Sequence, residues 1–135
     1  MRSAPPAAER PVLIAGELGV RGLDRGRAER ELARGLGVPC APLAVGLAPR
    51  AIERAIRESR ALVLLAARLD ERALAAGATA ELATRARQAG VPAFAVAGES
   101  TLSAFDARVL DLQMVLTART AAGLRAAGRE LASAI

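Results

Sequence analysis

The sequence predicts an α/β protein: a three-layer α/β/α sandwich around a five-stranded parallel, Rossmann-like or flavodoxin-like sheet. Three observations carry this expectation. The apolar runs are short and continuous rather than alternating, as in strands covered on both faces. Helical patterns with their own start and stop residues lie between them. Strand and helix alternate along the whole chain, which implies parallel pairing through crossover connections.

Each element follows in order. Val12–Ala15 is the first strand. Asp24 is placed to cap a helix whose Ala28, Leu32 and Leu36 recur at helical spacing, with Gly35 and Gly37 as its stop. Ala41–Val45 is a weaker strand, and Pro42 assigns it to an edge or a strand start. Pro49 opens a second helix with Ala51, Ile52, Ala55 and Ile56 on one face, up to Ser59. Ala61–Ala66 is the most apolar strand. Thr79 is placed to cap a helix to Gln88 that turns Leu82, Ala83 and Ala86 inward and stops at Gly90. Pro92–Ala97 is a strand, a short helical turn spans Thr101–Arg108, and Leu112–Leu116 is the last strand. A final helix over Ala118–Ser133 buries Leu124, Ala127 and Leu131. The simplest strand order is 2-1-3-4-5. Residues 1–10 read as a disordered tail and residues 11–135 as a single Rossmann-like domain.

Composition narrows the chemistry. The 135 residues contain no histidine, tyrosine, tryptophan, asparagine or lysine, so all 19 basic side chains are arginines. The usual general bases and Schiff-base formers near neutral pH are therefore missing. Any catalysis would fall to Asp, Glu, Arg, Ser, Thr, Cys, backbone N–H groups or a metal held by carboxylates. The net charge is +5, but arginine alternates with glutamate on helix faces, as in Arg27–Glu31 and Glu53–Arg57. Both aromatics, Phe94 and Phe105, sit in apolar contexts. This mixed-sign pattern argues against a nucleic-acid partner. No apolar run is long enough to span a bilayer, so no membrane partner is expected. The lone Cys40 cannot form an internal disulfide and fits a reducing, cytoplasmic setting. It reads as a small core residue.

In open parallel sheets, ligands bind beyond the carboxyl ends of the strands. That rule selects Glu17 and Arg21 in the Gly16-x-x-Gly19-x-x-Gly22 stretch, Arg68 and Asp70 after the third strand, and Gly98, Glu99 and Ser100 after the fourth. Arg68 and Asp70 are the sharpest pair, equally readable as a salt bridge or a helix cap. Glu17, Glu99 and Asp70 are the carboxylates that hard-cation binding would use, though solvated loop acids are the simpler reading. Ser100 or Thr101 is placed to cap the following turn.

Ala61–Gly98 resembles the glycerate kinase family. There an apolar strand runs into Gly-Glu-Gly-Arg-x-Asp-x-Gln-Thr-x-x-Gly-Lys, then a helix, then a strand of the type Gly-Val-Pro-Val-x-Ala-x-x-Gly. Here the register reads Ala61-Leu-Val-Leu-Leu-Ala-Ala-Arg68-Leu-Asp70 and continues to Gly90-Val91-Pro92-Ala93-Phe94-Ala95-Val96-Ala97-Gly98. Leu13-Ile14-Ala15-Gly16-Glu17 and Leu32-Ala33-Arg34-Gly35-Leu36 are similar to the family's opening. Arg68 and Asp70 are retained, whereas Leu65, Ala66 and Ala67 replace Gly-Glu-Gly and the motif lysines are absent. The resemblance is to a shortened, single-domain relative. It implies ATP- and Mg²⁺-dependent phosphorylation of glycerate or a similar small hydroxy acid, weakened or lost with the missing motif residues. In that reading Arg68 and Asp70 are catalytic, and Glu17, Arg21, Gly98, Glu99 and Ser100 contact substrate or phosphate. The alternative expectation is a non-catalytic domain that binds a small anion, a nucleotide or a partner protein, with a homo-oligomer also admissible.

Overall fold

A computed structural model describes residues 10–16, 24–44, 46–72 and 78–135. In chain order the elements are β1 (Val12–Gly16), α1 (Arg25–Leu36), β2 (Cys40–Pro42), α2 (Pro49–Arg57), β3 (Ala61–Leu69), α3 (Ala78–Ala89), β4 (Ala93–Ser100), α4 (Ala104–Val109), β5 (Leu112–Thr117) and α5 (Ala121–Ala132). The five strands form one sheet in the order β2-β1-β3-β4-β5, and every pairing is parallel. This is the α/β, flavodoxin-like architecture the alternation predicts. None of the described helices is long and apolar enough to cross a membrane.

The strand period of two divides the core into two layers. Leu13, Leu62, Leu64, Ala93 and Ala95 face Ile56 of α2 and Ala83 and Ala86 of α3. Val12, Ile14, Val63, Leu65, Phe94 and Val96 face Ala28, Leu32 and Leu36 of α1 and Leu124, Ala127 and Leu131 of α5. β3 runs between β1 and β4, and its first six residues are buried. That explains the unbroken apolar run in its sequence.

Local chemistry sets the helix ends. The Asp24 carboxylate accepts from the Arg27 N–H at 2.8 Å and caps α1. Gly37, at φ 64°, closes it in the left-handed conformation that glycine tolerates. Gly35 is not the stop; it lies inside α1. A Cβ there would come 2.1 Å from the Arg125 carbonyl oxygen, and one at Gly128 would come 2.5 Å from the Leu32 carbonyl oxygen. The two glycines let the backbones of α1 and α5 approach each other directly.

Other expectations shift by a turn. Thr79 lies within α3 and is buried rather than serving as its cap. Helix α4 begins after Ser103, which forms a reciprocal capping box with Asp106. Helix α5 begins after Thr120, whose hydroxyl accepts from the Gly123 N–H at 2.9 Å. Glu53–Arg57 is present at 2.8 Å. Glu31 pairs instead with Arg34 and, across to α5, with Arg125. Phe94 is buried as expected, but Phe105 is 68% exposed. It lies between Ala104 and Asp106, and α4 turns it outward.

Candidate functional site

The carboxyl ends of β3 and β4 lie side by side because Arg68 pairs in register with Glu99 and Leu69 with Ser100. The Thr101 N–H donates to the Leu69 carbonyl at 2.9 Å and extends this pairing past the strand. Register alone therefore brings Arg68, Asp70, Gly98, Glu99 and Ser100 to one rim. Glu17 and Arg21 lie outside the described residues, as do Gly19 and Gly22.

At this rim the Arg68 guanidinium sits between two carboxylates. Its Nε is 3.4 Å from Asp70 Oδ2 and its Nη1 is 3.9 Å from Glu99 Oε2. The other Asp70 oxygen, Oδ1, accepts from the Arg72 N–H at 3.0 Å. Asp70 thus fulfils both structural roles open to it, salt bridge and turn cap. Ser100 Oγ accepts from the Leu102 N–H at 3.3 Å and stabilises the bend before α4. Ser103, not Thr101 or Ser100, caps the helix. Arg119, directly after β5, donates from Nε to the Gly98 carbonyl at 3.1 Å. It ties the ends of β4 and β5 together. The same strand-end rule that selects Arg68 would have found it.

The charges here balance. Among the described residues, three arginines (Arg68, Arg72 and Arg119) and three acids (Asp70, Glu71 and Glu99) stand at or just beyond the ends of β3, β4 and β5. An anion approaching Arg68 meets two carboxylates already in place. The Arg68 side chain is 61% exposed and that of Glu99 54%, so water screens these contacts and they hold neither side chain firmly. Among the described residues no three acidic or thiol side chains converge closely enough to hold a metal ion.

A second concavity lies away from the rim. A groove of about 300 Å³ between α1 and the β1–β2 edge is lined by Ile14, Gly26, Glu29, Arg30, Ala33, Cys40 and Pro42. The Cys40 thiol donates to the Val38 carbonyl at 3.2 Å. Burial pushes its pKa up, against a smaller opposing pull from Arg60. The thiol therefore stays protonated near neutral pH and is a poor nucleophile.

No family model matches this sequence. No curated protein matches it either. Among solved structures, one of a Burkholderia pseudomallei protein described as a "putative pilus assembly-related protein" is similar, with a TM-score of 0.57 and 21% identity. The match covers 98% of this chain and 96% of that one. A likeness at that identity speaks to fold, and it places this chain among α/β proteins with a five-stranded parallel, flavodoxin-like sheet.

Proposed function

We propose that this chain is a non-catalytic α/β domain that works by binding a partner protein, with the alternating charges around Arg68 as the contact. The observation that carries the reading is the placement of Arg68 between Asp70 and Glu99. A phosphate or carboxylate site needs uncompensated donors. A rim of exposed, loosely paired charges of both signs suits a protein surface with the complementary pattern, where such groups govern orientation and specificity. The Burkholderia protein's description, which speaks of assembly rather than of a reaction, is in keeping with a binding role.

A second reading keeps Arg68 and Asp70 as remnants of a glycerate kinase site, with ATP and Mg²⁺ as cofactors. It draws on their position at the carboxyl rim, where phosphates bind in sheets of this topology. In it Arg68 holds a substrate carboxylate and Asp70 orients the hydroxyl that attacks the γ-phosphate.

One experiment separates the two. Purified protein with ATP, Mg²⁺ and D-glycerate is assayed for ADP release, and a tagged copy is recovered from its native cells under mild conditions. The expected result is no ADP above background, together with a reproducible partner that Arg68→Glu loses. ADP release abolished by Asp70→Ala would overturn the binding reading in favour of the kinase.

A further inference from the structure

We infer that the outward face of α1, with the groove beside it, is a docking site for an acidic, amphipathic segment of a partner protein. Carboxylates of that segment meet Arg27, Arg30 and Arg34, and an aliphatic side chain between them enters the groove. This surface is independent of the rim around Arg68 and of the role proposed for it.

Helix α1 carries charges of both signs, and the fold sorts them. Its exposed residues are Arg27, Arg30 and Arg34, all arginines. Its glutamates are turned in. The Glu29 side chain is 13% exposed, and its Oε1 accepts from Arg25 Nε at 2.9 Å. Glu31 is buried and serves two guanidinium groups, those of Arg34 and Arg125. One carboxylate cannot neutralise both, and the Arg34 side chain stays 70% exposed. Among the described residues no carboxylate forms a salt bridge with Arg27 or Arg30. Arg27 acts on Glu31 from a distance, and more weakly than Arg34 does. Asp24 precedes the helix, and its Oδ1 is taken by the Arg27 N–H. The result is a cationic stripe two turns long, about 10 Å.

Helical periodicity sets this stripe against the groove. Gly26, Glu29, Arg30 and Ala33 line the groove, while Glu31 and Gly35 meet α5 on the other flank. Arg30 belongs to both the groove and the stripe. A Cβ at Gly26 would stand 3.2 Å from Arg30 Nη1, so the guanidinium lies over Gly26 at the lip of the groove.

The groove itself offers carbon. Ile14, Ala33 and Pro42 form its wall. The polar atoms there are already engaged: Cys40 Sγ donates to the Val38 carbonyl, and Glu29 is held by Arg25, whose Nη2 donates to the Leu43 carbonyl at 2.7 Å. Its volume of about 300 Å³ lies at the low end for a ligand pocket and suits aliphatic side chains of a docked segment. The sign of the stripe then selects acids around that anchor. A nucleic acid or an anionic bilayer would also answer the charge, but such partners are usually met with aromatic side chains as well. The aromatics of this chain are Phe94 and Phe105. Phe94 is buried, and Phe105 stands on α4, whose Ala107 packs in the α2–α3 layer across the sheet from α1.

The test is fluorescence anisotropy of the full chain with a fluorescein-labelled peptide of about three helical turns, built of Glu with Leu at helical spacing. Circular dichroism controls for folding. Saturable binding to the wild type is expected. Arg27→Glu with Arg30→Glu is expected to weaken it about tenfold or more, and so is Ser in place of Leu in the peptide. Arg27→Lys with Arg30→Lys should keep most of the affinity, and Arg68→Glu should leave it unchanged, which separates this site from the rim. Cys40, the single thiol, reports on the groove: saturating peptide should slow its alkylation by iodoacetamide severalfold. Absence of saturable binding would overturn the proposal. So would binding that the Arg→Glu pair leaves unchanged, or alkylation of Cys40 at the same rate with and without peptide. A single-stranded oligonucleotide or phosphatidylglycerol vesicles bound more tightly than the peptide, and lost in the same Arg→Glu pair, would overturn it in favour of those partners.

Discussion

Glu31 and Arg68 each stand between two groups of opposite charge, and the two clusters do different work. Glu31 is 6% exposed, in the seam where α1 meets α5. It accepts hydrogen bonds from Arg125 and Arg34. The hydrogen bond from Arg125 and the nearby arginines hold its carboxyl below the usual glutamate range, against the opposing effect of burial. Arg68 lies in the open at the rim, its partners 3.4 and 3.9 Å away. Charge buried at a helix seam is committed to structure, and charge left exposed beyond strand ends is available to a partner.

The largest effect should come from the seam's backbone. Gly35→Ala and Gly128→Ala each place a methyl group against the opposite helix, so α1 and α5 must separate. The expected cost is about 2 kcal/mol after the gain in helix propensity, seen as a lower midpoint in thermal or urea unfolding. Gly26→Ala, also in α1, meets the far end of the Arg30 side chain at 3.2 Å and the Asp24 carboxylate at an ordinary contact distance of 3.5 Å, and no backbone. It should stabilise by about 0.5 kcal/mol. Equal effects at positions 26 and 35 would break the contrast.

Glu31→Gln should destabilise the fold in a pH-dependent way. The folded carboxyl titrates below its unfolded value, so its contribution is complete above the ordinary carboxylate range. It is lost as pH falls through the lowered value. Wild-type and variant unfolding curves should therefore differ most near neutral pH and converge on acidification.

Rim substitutions should cost less than those that force the α1–α5 seam apart. Asp70→Ala removes the cap on the Arg72 N–H and is expected to cost about 1 kcal/mol. Arg68→Ala is expected to stay within about 0.5 kcal/mol of wild type by the same unfolding measurement.

The fold was largely legible in the sequence because its evidence is local. Continuous apolar runs marked four strands, and Pro42 marked β2 as an edge or a strand start; the edge holds, but Pro42 ends the strand. Asp24 and Gly37 bounded α1. What escaped depends on contacts distant in sequence. Gly35 looks like a helix stop until Gly128 is brought against it. Glu31 looks like a surface partner of Arg27 until Arg125, 94 residues away, reaches it. Phe105 was read as sitting in an apolar context, but α4 turns it outward. At the rim, Arg68 and Asp70 were marked by their position after a strand. The compensation by Glu99 was not, since it follows from the register between β3 and β4.

A pair of double-mutant cycles measures the contrast most directly, one joining Arg68 to Asp70 and the other Glu31 to Arg125, both read from unfolding free energies near neutral pH. The coupling at the rim should be at or below about 0.5 kcal/mol, and the coupling across the helix seam should clearly exceed it. A rim coupling equal to or larger than that at the seam would show that Arg68 is committed to the fold, and would contradict its assignment as a free contact.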